Sequence, residues 1–161
     1  MDERVDPFQQ LQRSHRRLEE RLDDLLMIAE RAEGGAVDTD AVRDVAAFFA
    51  RAVRRHEEDE ERSLFPRLAH RPELAPVLAK LAAEHREHET LHARLEKFLT
   101  EADPSSVAAA RELAAIADAL CNAYRTHITE EERSLFPAAR RALDETSLAS
   151  MMDEMQSRRG R

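Results

Sequence analysis

Residues 56–66 read HEEDEERSLFP and residues 127–137 read HITEEERSLFP; the two stretches agree at eight of eleven positions and lie 71 residues apart. In each copy a histidine is followed four residues later by a glutamate, His56 to Glu60 and His127 to Glu131. Positions i and i+4 of an α-helix share a face one turn apart, so each copy sets an imidazole beside a carboxylate. Upstream of the first copy Val42, Val45, Phe49 and Val53 recur at three and four residues, and upstream of the second Leu113, Ile116, Leu120 and Tyr124 do the same. That spacing is one stripe of a helix, and in both cases it runs directly into the His and Glu.

The same period marks two further helices. Asp6-Pro7-Phe8-Gln9 combines a cap, a first-turn proline and a capping-box glutamine. The helix it opens runs to about Glu33 with Phe8, Leu11, His15, Leu18, Leu22 and Leu25 on its stripe, and Gly34-Gly35 ends it. A second helix starts near Asp38 and reaches Leu64-Phe65-Pro66. Pro72 is predicted to open a third, with Leu74, Leu78, Leu81, His85, His88, His92, Leu95 and Leu99 facing inward, closing at Ala102-Asp103. Asp103-Pro104 supplies the cap and first-turn proline expected for the fourth. Short links force antiparallel neighbours, so the fold class is all-α: an up-down-up-down antiparallel four-helix bundle over residues 1–145. Residues 146–161 are expected to form a short C-terminal helix, at Ser147 to Met155, and a flexible tail that frays from Ser157 onward. Laying Leu11-x-x-x-His15 on Leu81-x-x-x-His85 extends the repeat, so the bundle reads as two helical hairpins related by a pseudo-two-fold axis.

Composition narrows the function. The 161 residues include 3 Gly and 6 Pro, too few for the turns of a β-sandwich or barrel, and they suffice for one domain. A net charge of −8 argues against a nucleic-acid partner, whose phosphates demand a basic stripe. A single cysteine, Cys121, rules out an intramolecular disulfide and a cysteine-based zinc site, which fits a cytoplasmic protein. The acidic stretch Met1 to Phe8 is not a secretory signal, and nothing approaches a membrane span.

The inner stripes carry six groups that a leucine core does not accept unpaired: His15, His56, Glu60, His85, His127 and Glu131. His56 and His127 each precede the Phe of their Leu-Phe-Pro by nine residues, roughly 13 Å along a helix, and in an up-down bundle all four histidines fall in one layer. Four imidazoles with two carboxylates suit iron or a similar transition metal better than calcium or magnesium, which prefer oxygen. Two metal ions bridged by Glu60 and Glu131, each also held by two histidines, have four protein ligands apiece. A ferritin-like carboxylate site needs Glu-x-x-His on two helices, and only Glu89-x-x-His92 fits. A mononuclear zinc hydrolase leaves half of the repeat unexplained.

The set His15, His56-x-x-x-Glu60, His85 and His127-x-x-x-Glu131, with Leu-Phe-Pro closing both paired motifs, resembles the hemerythrin-like HHE cation-binding domain over residues from about 7 to 142. The resemblance implies a non-haem di-iron centre, two iron ions per chain, that binds dioxygen or a related small molecule. It departs from the oxygen-carrying hemerythrins at two positions. Glu89 stands where they have a second histidine on the third helix, and Glu131 follows its histidine at four residues where they have an Asp at five. Both departures speak against reversible oxygen carriage, because a carboxylate in place of an imidazole favours the oxidised state.

Several neighbours have two readings. Glu89 and Glu57 are each an extra ligand or a solvated helix-face charge, and the run Glu57 to Glu61 reads mainly as a solvated face with Glu60 turned inward. His88 and His92, which replace leucines of the repeat near Tyr124, read as a polar cluster that relays protons or orients a ligand, or as buried structure bonded to Tyr124 and backbone, ahead of an alternate His88-x-x-x-His92 ligand pair. His70 reads as exposed and Cys121 as a packed small residue. Two functions remain: binding, sensing or storage of dioxygen or a related oxidant, or redox catalysis on peroxide or nitric oxide at the same centre. Whether the chain is an enzyme, and its oligomeric state, are not written in these residues.

Overall fold

A computed structural model describes residues 6–160. Helix α1 is Pro7–Ala32, α2 spans 39–68, α3 is Ala75–Glu101, α4 spans 107–142 and α5 is Glu145–Arg158; no strand occurs among the described residues. The first four make the expected up-down-up-down bundle, with α1 against α2 and α4, and α3 against α2 and α4. No helix among the described residues is long and apolar enough to cross a membrane.

The helix starts follow local capping chemistry. Asp6 accepts from the Gln9 N–H at 2.9 Å with Pro7 in the first turn, and Asp38 accepts from the Ala41 N–H at 3.1 Å. Two starts differ from the sequence expectation. Pro72 lies in a tight turn, where Leu74 N–H reaches the Arg71 carbonyl, and α3 opens at Ala75 with Pro76 in its first turn. Asp103 is spent on a turn, bonding Ser105, and the cap of α4 is Ser106, whose hydroxyl accepts from the Ala109 N–H at 3.0 Å.

Helices α2 and α4 are not uniformly α-helical. The turns Glu60–Leu64 and Glu131–Leu135 widen to π geometry, with Phe65 N–H bonded to the Glu60 carbonyl and Phe136 N–H to the Glu131 carbonyl. The cause is the proline that follows each Phe. Pro66 and Pro137 have no N–H to give, and their rings crowd the carbonyl four residues back, so the chain re-pairs one residue further along. The π turns therefore begin at the two glutamates of the repeated motif and end just before Phe65 and Phe136, both of which face inward. A further π turn, Phe49–Val53, interrupts α2.

Two apolar cores result. One joins Leu22, Val45, Phe49, Leu113 and Leu120. The other joins Phe8, Leu64, Leu81, Leu135 and Phe136 with Met151 and Met155 from α5. Helix α5 is thus part of the core, and the expected fraying from Ser157 is not what Ser157 to Gly160 do; Arg161 lies outside the described residues. Arg158 and Arg159 clamp the fully buried Asp59 at 3.0 and 2.7 Å, while Arg67 and Ser63 hold Glu154.

Candidate metal centre

Between the two cores lies the polar layer. His15 comes from α1, His56 and Glu60 from α2, His85 from α3, and His127 and Glu131 from α4, and all six are buried. His15 Nε2 is 3.0 Å from Glu131 Oε2, and His85 Nε2 is 3.0 Å from Glu60 Oε1. His127 Nε2 is 2.7 Å from Glu131 Oε1, and His56 Nε2 is 3.6 Å from Glu60 Oε2. The arrangement is pseudo-symmetric down to its walls: His15 stacks on Phe136 at 5.7 Å and His85 on Phe65 at 5.9 Å, each Phe being the one placed by a π turn.

Two sets of converging ligand atoms emerge. One comprises His15, His56, Glu60 and Glu131, the other Glu60, His85, His127 and Glu131; within each, the atoms lie within 4.8 Å of one another. Both glutamates belong to both sets. The donors are also short of partners. His15 Nδ1, His56 Nδ1 and Nε2 and Glu60 Oε2 are buried without a hydrogen bond, and His85 Nε2 faces His127 Nε2 at 3.2 Å. Buried polar atoms left unpaired are costly, and imidazoles turned nitrogen to nitrogen around carboxylates are what a cation satisfies. The donor set, nitrogen-rich with two carboxylates, fits a transition-metal cation.

Family comparison agrees with that chemistry. The model of the hemerythrin HHE cation-binding domain matches residues 6–139. The chain belongs to the hemerythrin HHE cation-binding family. Among curated proteins none matches it. The matched residues include all six ligand candidates of this hemerythrin-type bundle and stop short of α5.

The carboxylates of the layer favour charged imidazoles. Burial alone depresses a histidine, but for His15 the Glu131 and Glu132 carboxylates outweigh it and raise the imidazole to about 9. In the same way Glu60 lifts His85 to about 9, and Glu131 with Glu60 lifts His127 to about 11, against the opposing effect of burial. Glu60, although buried, is pulled well below the usual carboxylate range by His56, His127 and His85. Raised histidines stabilise the metal-free fold below their ordinary value of 6.5 and lose that contribution as pH climbs through about 9 to about 11. Glu60 acts oppositely, contributing above 4.5 and failing in acid. Chelator-treated protein is therefore expected to show a urea midpoint that falls from about pH 6.5 to about pH 11, most steeply below about 9 where all three histidines contribute, whereas metal-loaded protein, its imidazoles already deprotonated, is expected to lack that fall. Parallel midpoints for the two forms across this range would contradict the assignment.

The surroundings correct several sequence expectations. The acidic run is not a solvated face, since Glu57, Asp59 and Glu60 are all buried. Glu57 is not in either ligand set: it accepts from Tyr124 at 3.5 Å, lies 3.2 Å from His88 Nδ1, and burial raises it to about 7. Glu89 is exposed, and His88, about 100° away around α3, occupies the inner face instead. Burial keeps His88 and His92 neutral, near about 3 and about 4, and Tyr124 O–H lies 2.7 Å from His92 Nε2. His88, Glu57, Tyr124 and His92 form the polar cluster expected beside the centre, with Glu57 added to it. His70 is exposed and Cys121 buried, as read from the sequence. Because Glu89 points to solvent, Glu89→His is expected to leave metal content and the visible spectrum unchanged; a shifted absorption band would show that position 89 reaches the metal.

Residues with no sequence expectation also contribute. Glu61 is 3.0 Å from His85 Nδ1 and Glu84 is 3.1 Å from His127 Nδ1, each holding an imidazole by the nitrogen turned away from the shared glutamates. Glu132 lies 3.8 Å from His15 Nδ1 and is itself gripped by Arg16. The signal for two of them was in the repeat, because Glu61 and Glu132 are the same position in its two copies.

Proposed function

We propose that the layer holds two iron ions and handles dioxygen or a related small oxidant by binding, sensing or storing it. The observation that carries this reading is the pair of four-residue sets sharing both glutamates. His15 and His56 would hold one ion, His85 and His127 the other, and Glu60 and Glu131 would bridge them. Paired iron held there would supply a redox-active, Lewis-acidic centre. The protein's own work is positional. Glu61 and Glu84 fix the tautomers of His85 and His127 by accepting from Nδ1–H, which leaves Nε2 free to ligate. Phe65 and Phe136 hold the rings of His85 and His15 flat against the apolar core and keep bulk water from that side.

A second reading, redox catalysis on peroxide or nitric oxide, is favoured by the cluster of His88, Glu57, Tyr124 and His92. Disproportionating two peroxides to two waters and one dioxygen passes two electrons and two protons from one peroxide to the other, and these side chains hold exchangeable protons beside His127. A cytoplasmic setting, expected from the single cysteine, suits either reading. Elemental analysis of protein from iron-supplemented cells, followed by the spectrum of the reduced protein in air, tests both. About two iron ions per chain with a reversible oxygen band supports binding, and prompt irreversible oxidation or peroxide-driven gas release supports catalysis. A folded product free of metal from iron-replete cells sinks both.

A further inference from the structure

Three of the four histidines of the layer have a carboxylate beside the ring nitrogen turned away from the shared glutamates. Glu61 serves His85, Glu84 serves His127, and Glu132 stands near His15. His56 is the exception. Its Nε2 is turned to Glu60 at 3.6 Å, and its Nδ1 has no partner although only 5% of the residue is exposed. The repeat explains the gap: Glu84 immediately precedes His85, whereas the residue preceding His15 is Ser14, which carries no charge.

His56 lines a cleft of about 510 Å³ together with Ser14, Arg13, Arg17, Arg55 and Arg159. Arg159 is committed to Asp59, while Arg13, Arg17 and Arg55 are exposed and form no ion pair among the described residues. No Asp or Glu lines the cleft, in a chain whose net charge is −8. Three unpaired guanidinium groups, each a planar fork of donors suited to an oxyanion, thus line a cleft whose wall includes His56, an imidazole with a buried Nδ1 that lacks an acceptor.

We propose that this cleft binds a small oxyanion, a carboxylate or a phosphate. The oxyanion accepts from His56 Nδ1–H, is held by Arg13, Arg17 and Arg55, and does for His56 what Glu84 does for His127. Occupancy fixes the His56 tautomer with Nε2 directed at Glu60. The binding itself is a property of the cleft and stands apart from the identity of any metal in the layer.

Calorimetric titration of inorganic phosphate, and separately of acetate, into the purified full chain at ionic strength held constant with sodium chloride tests this. At least one anion is expected to bind saturably at one site, the two arms separating phosphate from carboxylate. Arg17→Gln and Arg55→Gln are each expected to weaken it about tenfold or more, by removing a charge-assisted hydrogen bond. Arg111→Gln, exposed on another helix, is expected to change nothing. Ser14→Glu supplies the missing carboxylate from within the chain and is expected to abolish binding; should it fail to fold, the exposed arginine variants decide. Metal content measured alongside separates this site from anion held by metal ions, which follows the metal and ignores the arginines. Heat that tracks metal alone, equal affinity in Arg17→Gln and Arg111→Gln, or no saturable binding of either anion overturns the proposal.

Discussion

A Glu60→Ala chain is expected to lose more than about half of its bound metal, and Glu131→Ala to match it, because each glutamate contributes to both ligand sets. A histidine belongs to one set only, so His56→Ala is expected to cost no more than about one ion of two. The contrast between glutamate and histidine variants is the diagnostic feature. The glutamate variants also carry a cost that is independent of metal. Removing Glu60 leaves His85 Nε2 without the carboxylate it faces at 3.0 Å, and breaking a buried pair of this kind costs about 3 kcal/mol or more. Metal content is therefore to be measured on chains shown by circular dichroism to be folded, with Glu60→Gln as the conservative partner that keeps the shape and drops the charge. Glutamate and histidine variants with the same metal content, or glutamate variants with the parent's, would reject the bridging assignment.

Deleting residues 145–161 is expected to be the most destabilising change outside the polar layer. Met151 and Met155 are fully buried against Phe8, Leu64 and Phe136, and exposing a core of this kind costs about 2–5 kcal/mol for each large side chain lost. The deletion also strands Asp59, which has no exposure and loses both arginine partners. Together these reach about 5 kcal/mol or more, a fall in melting temperature of roughly 10–20 °C for a chain of this size. Asp59→Ala separates the contributions. It keeps the methionines in place, lets Arg158 and Arg159 retreat to solvent, and is expected to cost about 1.5–3 kcal/mol in lost charge-assisted hydrogen bonding. A truncated chain that melts within a few degrees of the parent would mean that the near-end core closes without α5.

The bundle and the six clustered residues were legible in the sequence because both depend on short-range helical geometry. A stripe at three and four residues names the inner face, and His56 with Glu60 or His127 with Glu131 needs only one turn of helix to come together. The repeat then fixed the hairpin symmetry, and an up-down order with short links set the depth at which four histidines meet. Relations across the bundle were not legible in this way. Whether His88 or Glu89 faces the centre depends on a rotation of α3 by a single residue, which is decided by packing against Tyr124 and His127. The burial of Asp59 depends on arginines about a hundred residues further along the chain, so a run of five acidic residues looks solvated until α5 docks on it. The prolines of Leu-Phe-Pro are local signals, yet their effect, a π turn that begins at each shared glutamate, shows only when the displaced hydrogen bonds are traced. Periodicity specifies which residues turn inward. Which of them touch, and which find a partner from another helix, is set by the relative rotation and register of packed helices, and that is a property of the tertiary structure alone.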